Sequence, residues 1–126
     1  ARRCLDESIA YAQERRTFGK PLIAHQVIRH KIADMSARID AMDSLINQIC
    51  WHVNEGDMPV AEICKAKFFC SGALEFIANE AMQIFGGAGY LRGNPVERIY
   101  REVKVMSIGG GSAEIMRDLA VRQMGL

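Results

Sequence analysis

Apolar residues at Ile28, Ile32, Met35, Ile39, Met42, Ile46, Ile49 and Val53 recur at alternating steps of four and three. Because 3.6 residues complete a helical turn, that spacing lays all eight along one stripe of a single long helix. A stripe of this length must be buried against other rods, which commits the chain to coiled-coil-like helix packing. The helix stops at "NEGDMP", where Gly56 suits the left-handed position past a helix end and Pro59 the first turn of the next helix.

The other segments fit around this rod. A first helix covers about Ala1 to Arg15 and is broken by "TFGKPL". A third, from about Pro59 to Ile84, is apolar around much of its surface (Val60, Ile63, Cys64, Phe68, Leu74, Ile77, Met82). Such a helix belongs at the centre, covered on more than one side. "FGGAGYLRGN" reads as a loop, and Pro95 opens a fourth helix with Val96, Ile99, Tyr100 and Val103 facing inward. Ser112 can cap a fifth helix ending near Arg122. No period-2 stretch is long enough for a sheet. Long helices joined by short loops pack antiparallel, so the expected fold is all-α: an up-and-down four-helix bundle with an additional short C-terminal helix.

At 126 residues the chain can bury one core without staples. The net charge of +1 gives no electrostatic basis for binding nucleic acid or an anionic membrane surface. No apolar run approaches the roughly 18 residues of a spanning helix. Cys4, Cys50, Cys64 and Cys70 lack CxxC spacing and lie inside apolar helical patterns, so they are expected to be buried, reduced thiols. Bacterial cytoplasm is the compartment expected on that basis, with the mitochondrial matrix as the alternative. The chain opens in helical composition with neither Met nor an N-cap, which suggests a fragment whose Ala1 lies inside a helix.

A di-iron bundle needs paired Glu-x-x-His motifs. His25, His30 and His52 all lack the preceding Glu, so no metal is expected. "GGAGYLRG" is not a dinucleotide fingerprint following a strand, and "FGKP" lacks the rest of a P-loop. By composition, "FGGAGY" is a turn and "RRTFGK" a solvated basic helix end. The run Gly109, Gly110, Gly111 is harder to dismiss. Each glycine loses more backbone entropy on ordering than any other residue, so three together mark a place where something approaches the backbone closely.

"YAQERRTFGKPLIAHQ", "AMQIFGGAGY", "NPVERIYREVKV" and "SIGGGSAEIMRDLAVR" follow one another in an order and at separations that resemble the C-terminal helical domain of acyl-CoA dehydrogenases. The resemblance covers essentially the whole chain, residues 1–126. It implies an enzyme whose N-terminal helical and middle β domains are absent here. Such enzymes bind FAD, oxidise an acyl-CoA thioester to the trans-2-enoyl-CoA, pass electrons to an electron-transferring flavoprotein and assemble as homodimers or homotetramers. The alternative is a non-catalytic helical-bundle interaction module derived from the same fold.

Carried onto this sequence, the resemblance gives Arg15, Thr17 and Phe18 to the pyrophosphate and adenosine part of FAD, with His25 and Gln26 as a second contact. Gln83, Ile84, Phe85, Gly86 and Gly87 form a third, reaching FAD from the neighbouring subunit. Ser112 and Glu114 are counted with the cofactor contacts, and Gly109, Gly110 and Gly111 with the acyl site. Many members carry the catalytic glutamate at the position of Gly110; a minority, of isovaleryl- and long-chain type, carry it about three helical turns before the position of Ala1. The expectation is therefore that no catalytic residue lies in this chain, the base lying upstream of Ala1, with a member that has lost dehydrogenation as the alternative. Glu114, on a helix's first turn, and Glu7, read as a solvated surface residue, receive no catalytic role.

Overall fold

The computed structural model describes all of residues 1–126. Its elements are α1 (Arg2–Glu14), a hairpin of β1 (Arg16–Thr17) and β2 (Lys20–Pro21), a 3-10 turn (Leu22–Ala24), α2 (Gln26–Asn54), α3 (Val60–Phe85), α4 (Gly87–Tyr90), α5 (Pro95–Ile108) and α6 (Ala113–Gln123). The all-α bundle expected from the sequence is present. The two-residue strands and the single turn of α4, inside the stretch expected to be loop, are additions to it.

α3 is the hub, packing against α1, α2, α5 and α6. Its sequence explains how one rod accepts four neighbours. Ala61, Ala66, Ala73, Ala78 and Ala81 are all buried, and such small side chains let other helices approach closely from several directions. Larger groups fill the space between: Ile77, Met35 and Val96 are wholly buried, alongside Ile39, Ile84 and Val103. Burying each such side chain stabilises the fold by about 1.5–3 kcal/mol.

The α2 stripe is only half covered. Ile28, Met35, Ile39 and Met42 lie in the core, whereas Ile46 and Val53 are each 44% exposed. Periodicity specifies the apolar face but not how far along it a partner extends. Tyr100, expected inward, is also 44% exposed, because it lies at the edge of the α5 face that meets α3. The cysteines divide similarly: all four are free, Cys4 and Cys64 buried, Cys70 half-buried and Cys50 exposed.

The helix ends follow local chemistry. Gly56 takes φ +93°, the left-handed exit expected of it. Pro59 sits just outside α3 as its N-cap rather than in the first turn. Asn94 caps α5 by accepting the Val96 N–H at 2.8 Å, with Pro95 at the first helical position. Ser112 accepts the Ile115 N–H at 3.4 Å at the start of α6. No helix is long and apolar enough to cross a membrane.

Candidate functional site

The hairpin after α1 turns on Phe18 and Gly19, with Thr17 paired to Lys20. φ is +50° at Phe18 and +78° at Gly19. Positive φ at both central residues is the signature of a type I′ turn, whose twist matches the strands it joins. Gly19 enters that region freely. Phe18 does not, and it is the chain's one non-glycine residue with positive φ. Its ring is 97% exposed. An exposed apolar ring in a strained turn is an outlier in both burial and backbone conformation.

The surrounding polar groups are arranged around this turn. Arg16 Nη2 donates to the Gly19 carbonyl at 2.9 Å and closes the loop. Thr17 Oγ1 and His25 Nε2 are 3.0 Å apart, and the Phe18 and His25 rings meet edge-on at 6.2 Å. Gln26 pairs with His30 at 3.3 Å. Arg15, the C-cap of α1, donates its backbone N–H to Tyr11 at 2.8 Å and leaves its exposed guanidinium unpaired.

The end of α3 lies beside this hairpin. Tyr11, one turn before Arg15, stacks on Phe85 with ring centroids 4.2 Å apart and planes at 15°. Gly86 follows with φ +58° and ψ −139°, a region only glycine enters readily. A Cβ on Gly86 or Gly87 would meet nothing within 4 Å, so these glycines face open space. Gln83 is exposed, but Ile84 and Phe85 are 4% and 8% exposed. Their side chains belong to the core, and only their backbone can face a ligand.

The residues flanking the triple glycine meet the N-terminal half of α3, away from Phe85. The chain leaves α5 at Gly109, in extended backbone with ψ 149°, and Gly110 and Gly111 follow at φ +68° and +98°. A Cβ at Gly111 would come within 2.4 Å of the Met116 methyl, whereas one at Gly110 would meet nothing. Met106, just before the run, is level with Lys67 and Ser71 of α3, roughly 20 Å along the helix from Phe85. The assigned residues therefore form two groups. Arg15 to Gln26 and Gln83 to Gly87 lie toward the C-terminal end of α3; Gly109 to Gly111, Ser112 and Glu114 follow the contacts to its N-terminal half.

Glu114 and Glu7, the two carboxylates weighed above, sit in different surroundings. The Glu114 carboxyl lies below its ordinary value because its own backbone N–H donates to it, with the Ser112 hydroxyl adding to the effect. Glu7 is half-buried rather than solvated and pairs with Arg3 at 2.6 Å. No group of three or more His, Cys, Asp or Glu converges as metal ligands would. A cavity of about 830 Å³ is lined by Arg3, Arg92, Asn94, Glu97, Arg98 and Arg101, among others, with no hydrophobic residue. It contains none of the assigned residues and offers nothing to an acyl chain.

Sequence reasoning passed over Lys67, Ser71 and Glu75. Lys67 Nζ and Ser71 Oγ both donate to the Met106 carbonyl, and Glu75 accepts from the Ser107 hydroxyl and from Lys104 Nζ at 3.1 Å. The available signal was the spacing of Lys67, Ser71 and Glu75 at i, i+4, i+8, which puts them on one face of α3.

The family model described as "Acyl-CoA dehydrogenase, C-terminal domain" matches residues 1–125. The Bacillus subtilis protein named "Probable acyl-CoA dehydrogenase YngJ" is 39% identical over 98% of this chain and 33% of its own length. The structure of butyryl-CoA dehydrogenase from Megasphaera elsdenii superposes with a TM-score of 0.93 at 32% identity, over 98% of this chain and 32% of that one. An FAD complex of PigA gives 0.93 at 26% identity, over 99% and 33%. The chain thus spans about a third of the length of the curated relatives it matches. Matched over nearly all its residues, it belongs to the family of acyl-CoA dehydrogenase C-terminal domains.

Proposed function

We propose that residues 1–126 are the C-terminal helical domain of a FAD-dependent enzyme that oxidises an acyl-CoA thioester to the trans-2-enoyl-CoA. The observation that carries this reading is the hairpin end: a strained, exposed Phe18 beside an unpaired Arg15, next to the bare backbone of Gly86 and Gly87. These residues fit a dinucleotide. A guanidinium fork matches phosphate oxygens, an exposed ring can cover an apolar face, and glycine N–H groups can be approached without a Cβ clash. Arg15, Thr17 and Phe18 would hold the cofactor with His25, Gln26, Gln83 and the backbone of Ile84 to Gly87. When bound, the flavin supplies a hydride acceptor.

The glycine loop would form one wall of the acyl site. The missing side chain at Gly110 leaves room for a branched or bulky acyl group, and Ser112 and Glu114 would lie at the cofactor rim. Removing the α-proton needs a carboxylate whose pKa is not depressed, and Glu114 fails that condition. The base in this reading lies before Ala1. Acyl-CoA, an electron-transferring flavoprotein and a second copy of the chain are the partners proposed.

The test is Arg15→Ala in the full-length protein, with FAD affinity read by fluorescence. Loss of a charge-assisted phosphate contact is expected to weaken binding about 10- to 100-fold. Unchanged affinity would remove Arg15 from the cofactor site.

A further inference from the structure

Gly109 caps α5 for one carbonyl only. The Val105 carbonyl receives the Gly109 N–H at 2.7 Å, but the Met106 carbonyl, next in line, receives no backbone N–H. Gly109, at φ −75° and ψ 149°, has already left the helix, so the Gly110 N–H is carried away from that oxygen. Gly109, Gly110 and Gly111 have no side chains, so no side-chain donor is available within the run itself.

α3 supplies it instead. Lys67 Nζ donates to the Met106 carbonyl. The Ser71 hydroxyl lies 3.0 Å from the same oxygen and 2.7 Å from the Lys67 carbonyl. One hydroxyl proton cannot fully serve two acceptors, so the ammonium, with three N–H donors, is the principal partner. A cation there also complements the negative end of the α5 dipole. One turn on, Glu75 holds Ser107 and Lys104. On the far side of the glycines, the Arg117 guanidinium of α6 lies 4.8 Å from the centre of the Phe68 ring. Both flanks of Gly109–Gly111 are therefore fastened to one segment of α3.

We infer that Lys67 is a positioning residue: it fixes the C-terminal end of α5 and thereby the placement of the glycine loop, with Ser71 and Glu75 as supports. Its effect on turnover rests on the acyl-site reading of that loop, whereas its effect on the loop itself does not. A loop with no side chains cannot be packed into place, so its geometry has to come from the helix ends on either side. Lys67 and its neighbours therefore act on the acyl site through backbone position and touch no substrate.

The test uses the full-length protein carrying Lys67→Met or Lys67→Arg. Hydrogen exchange is followed at the amides of Met106 to Gly109, and kcat and flavin content are measured beside it. Lys67→Met is expected to speed exchange at those amides about tenfold while leaving α1 and α2 unchanged. kcat per bound flavin falls about tenfold. Lys67→Arg, which also donates to a carbonyl, restores both. Should Lys67→Met fail to fold, Glu75→Gln, which loosens Ser107 and Lys104, is read the same way. Unchanged exchange at Met106 to Gly109, or a rise spread across the chain that Arg does not rescue, overturns the inference. If the wild-type protein neither holds flavin nor oxidises acyl-CoA, the acyl-site reading fails, and the exchange measurement still decides the role of Lys67.

Discussion

Phe18 occupies a left-handed backbone conformation that costs a non-glycine residue about 1–2 kcal/mol. Asparagine tolerates that region, so Phe18→Asn in the full-length protein is expected to raise Tm while weakening flavin retention. A variant that gained stability and kept its flavin would take Phe18 out of the site. Ser8 presents the opposite case, a wholly buried hydroxyl with no hydrogen-bond partner. Ser8→Ala is expected to stabilise the fold by about 1 kcal/mol, seen as a higher denaturant midpoint; a lower midpoint would mean the hydroxyl has a partner. At this scale the sequence was legible wherever residue type and backbone agree. Gly56 and Ser112 were read correctly because a left-handed exit favours glycine and an N-cap favours serine. The Phe18–Gly19 turn was not, since type I′ turns ordinarily announce themselves as Asn-Gly or Asp-Gly.

α3 ties the elements together through alanines on several sides and a polar ladder on one. Its Glu75 carboxyl lies below the ordinary glutamate range, chiefly because the Ser107 hydroxyl donates to it, with Lys104 adding and burial opposing. A carboxyl depressed in the folded state contributes stability in full above its unfolded pKa. The contribution is lost as pH falls through the lower folded value. Glu75→Gln should therefore lower Tm at neutral pH, and the gap to wild type should close on acidification below about pH 4. A gap independent of pH would show that the Ser107 and Lys104 contacts do not depend on the charge. The long helices and the central place of α3 were evident from apolar spacing alone. The exposed half of the α2 stripe and the outward Tyr100 were not, because spacing defines a face and says nothing about the extent of its cover. The two ends of the candidate site were marked in the sequence by glycine. That they are well separated along one helix emerges only from packing.

Across the whole molecule, that separation determines how a site could be assembled. The hairpin end and the glycine loop are roughly 20 Å apart along α3. Two copies related by a two-fold axis, with their α3 rods antiparallel, would set the hairpin end of one beside the glycine loop of the other. Flavin content is therefore expected to follow assembly. Dilution or a dissociating variant should release cofactor as the dimer separates, measured by sedimentation with detection at the flavin band. Flavin retained by a monomer would contradict the shared site. The central claim is most directly tested by anaerobic titration of the purified full-length protein with straight and branched acyl-CoA thioesters, following its visible spectrum. The account predicts a yellow protein whose flavin band bleaches on addition of a suitable thioester. A protein that stays colourless with added FAD, or stays yellow with every acyl-CoA, would contradict it.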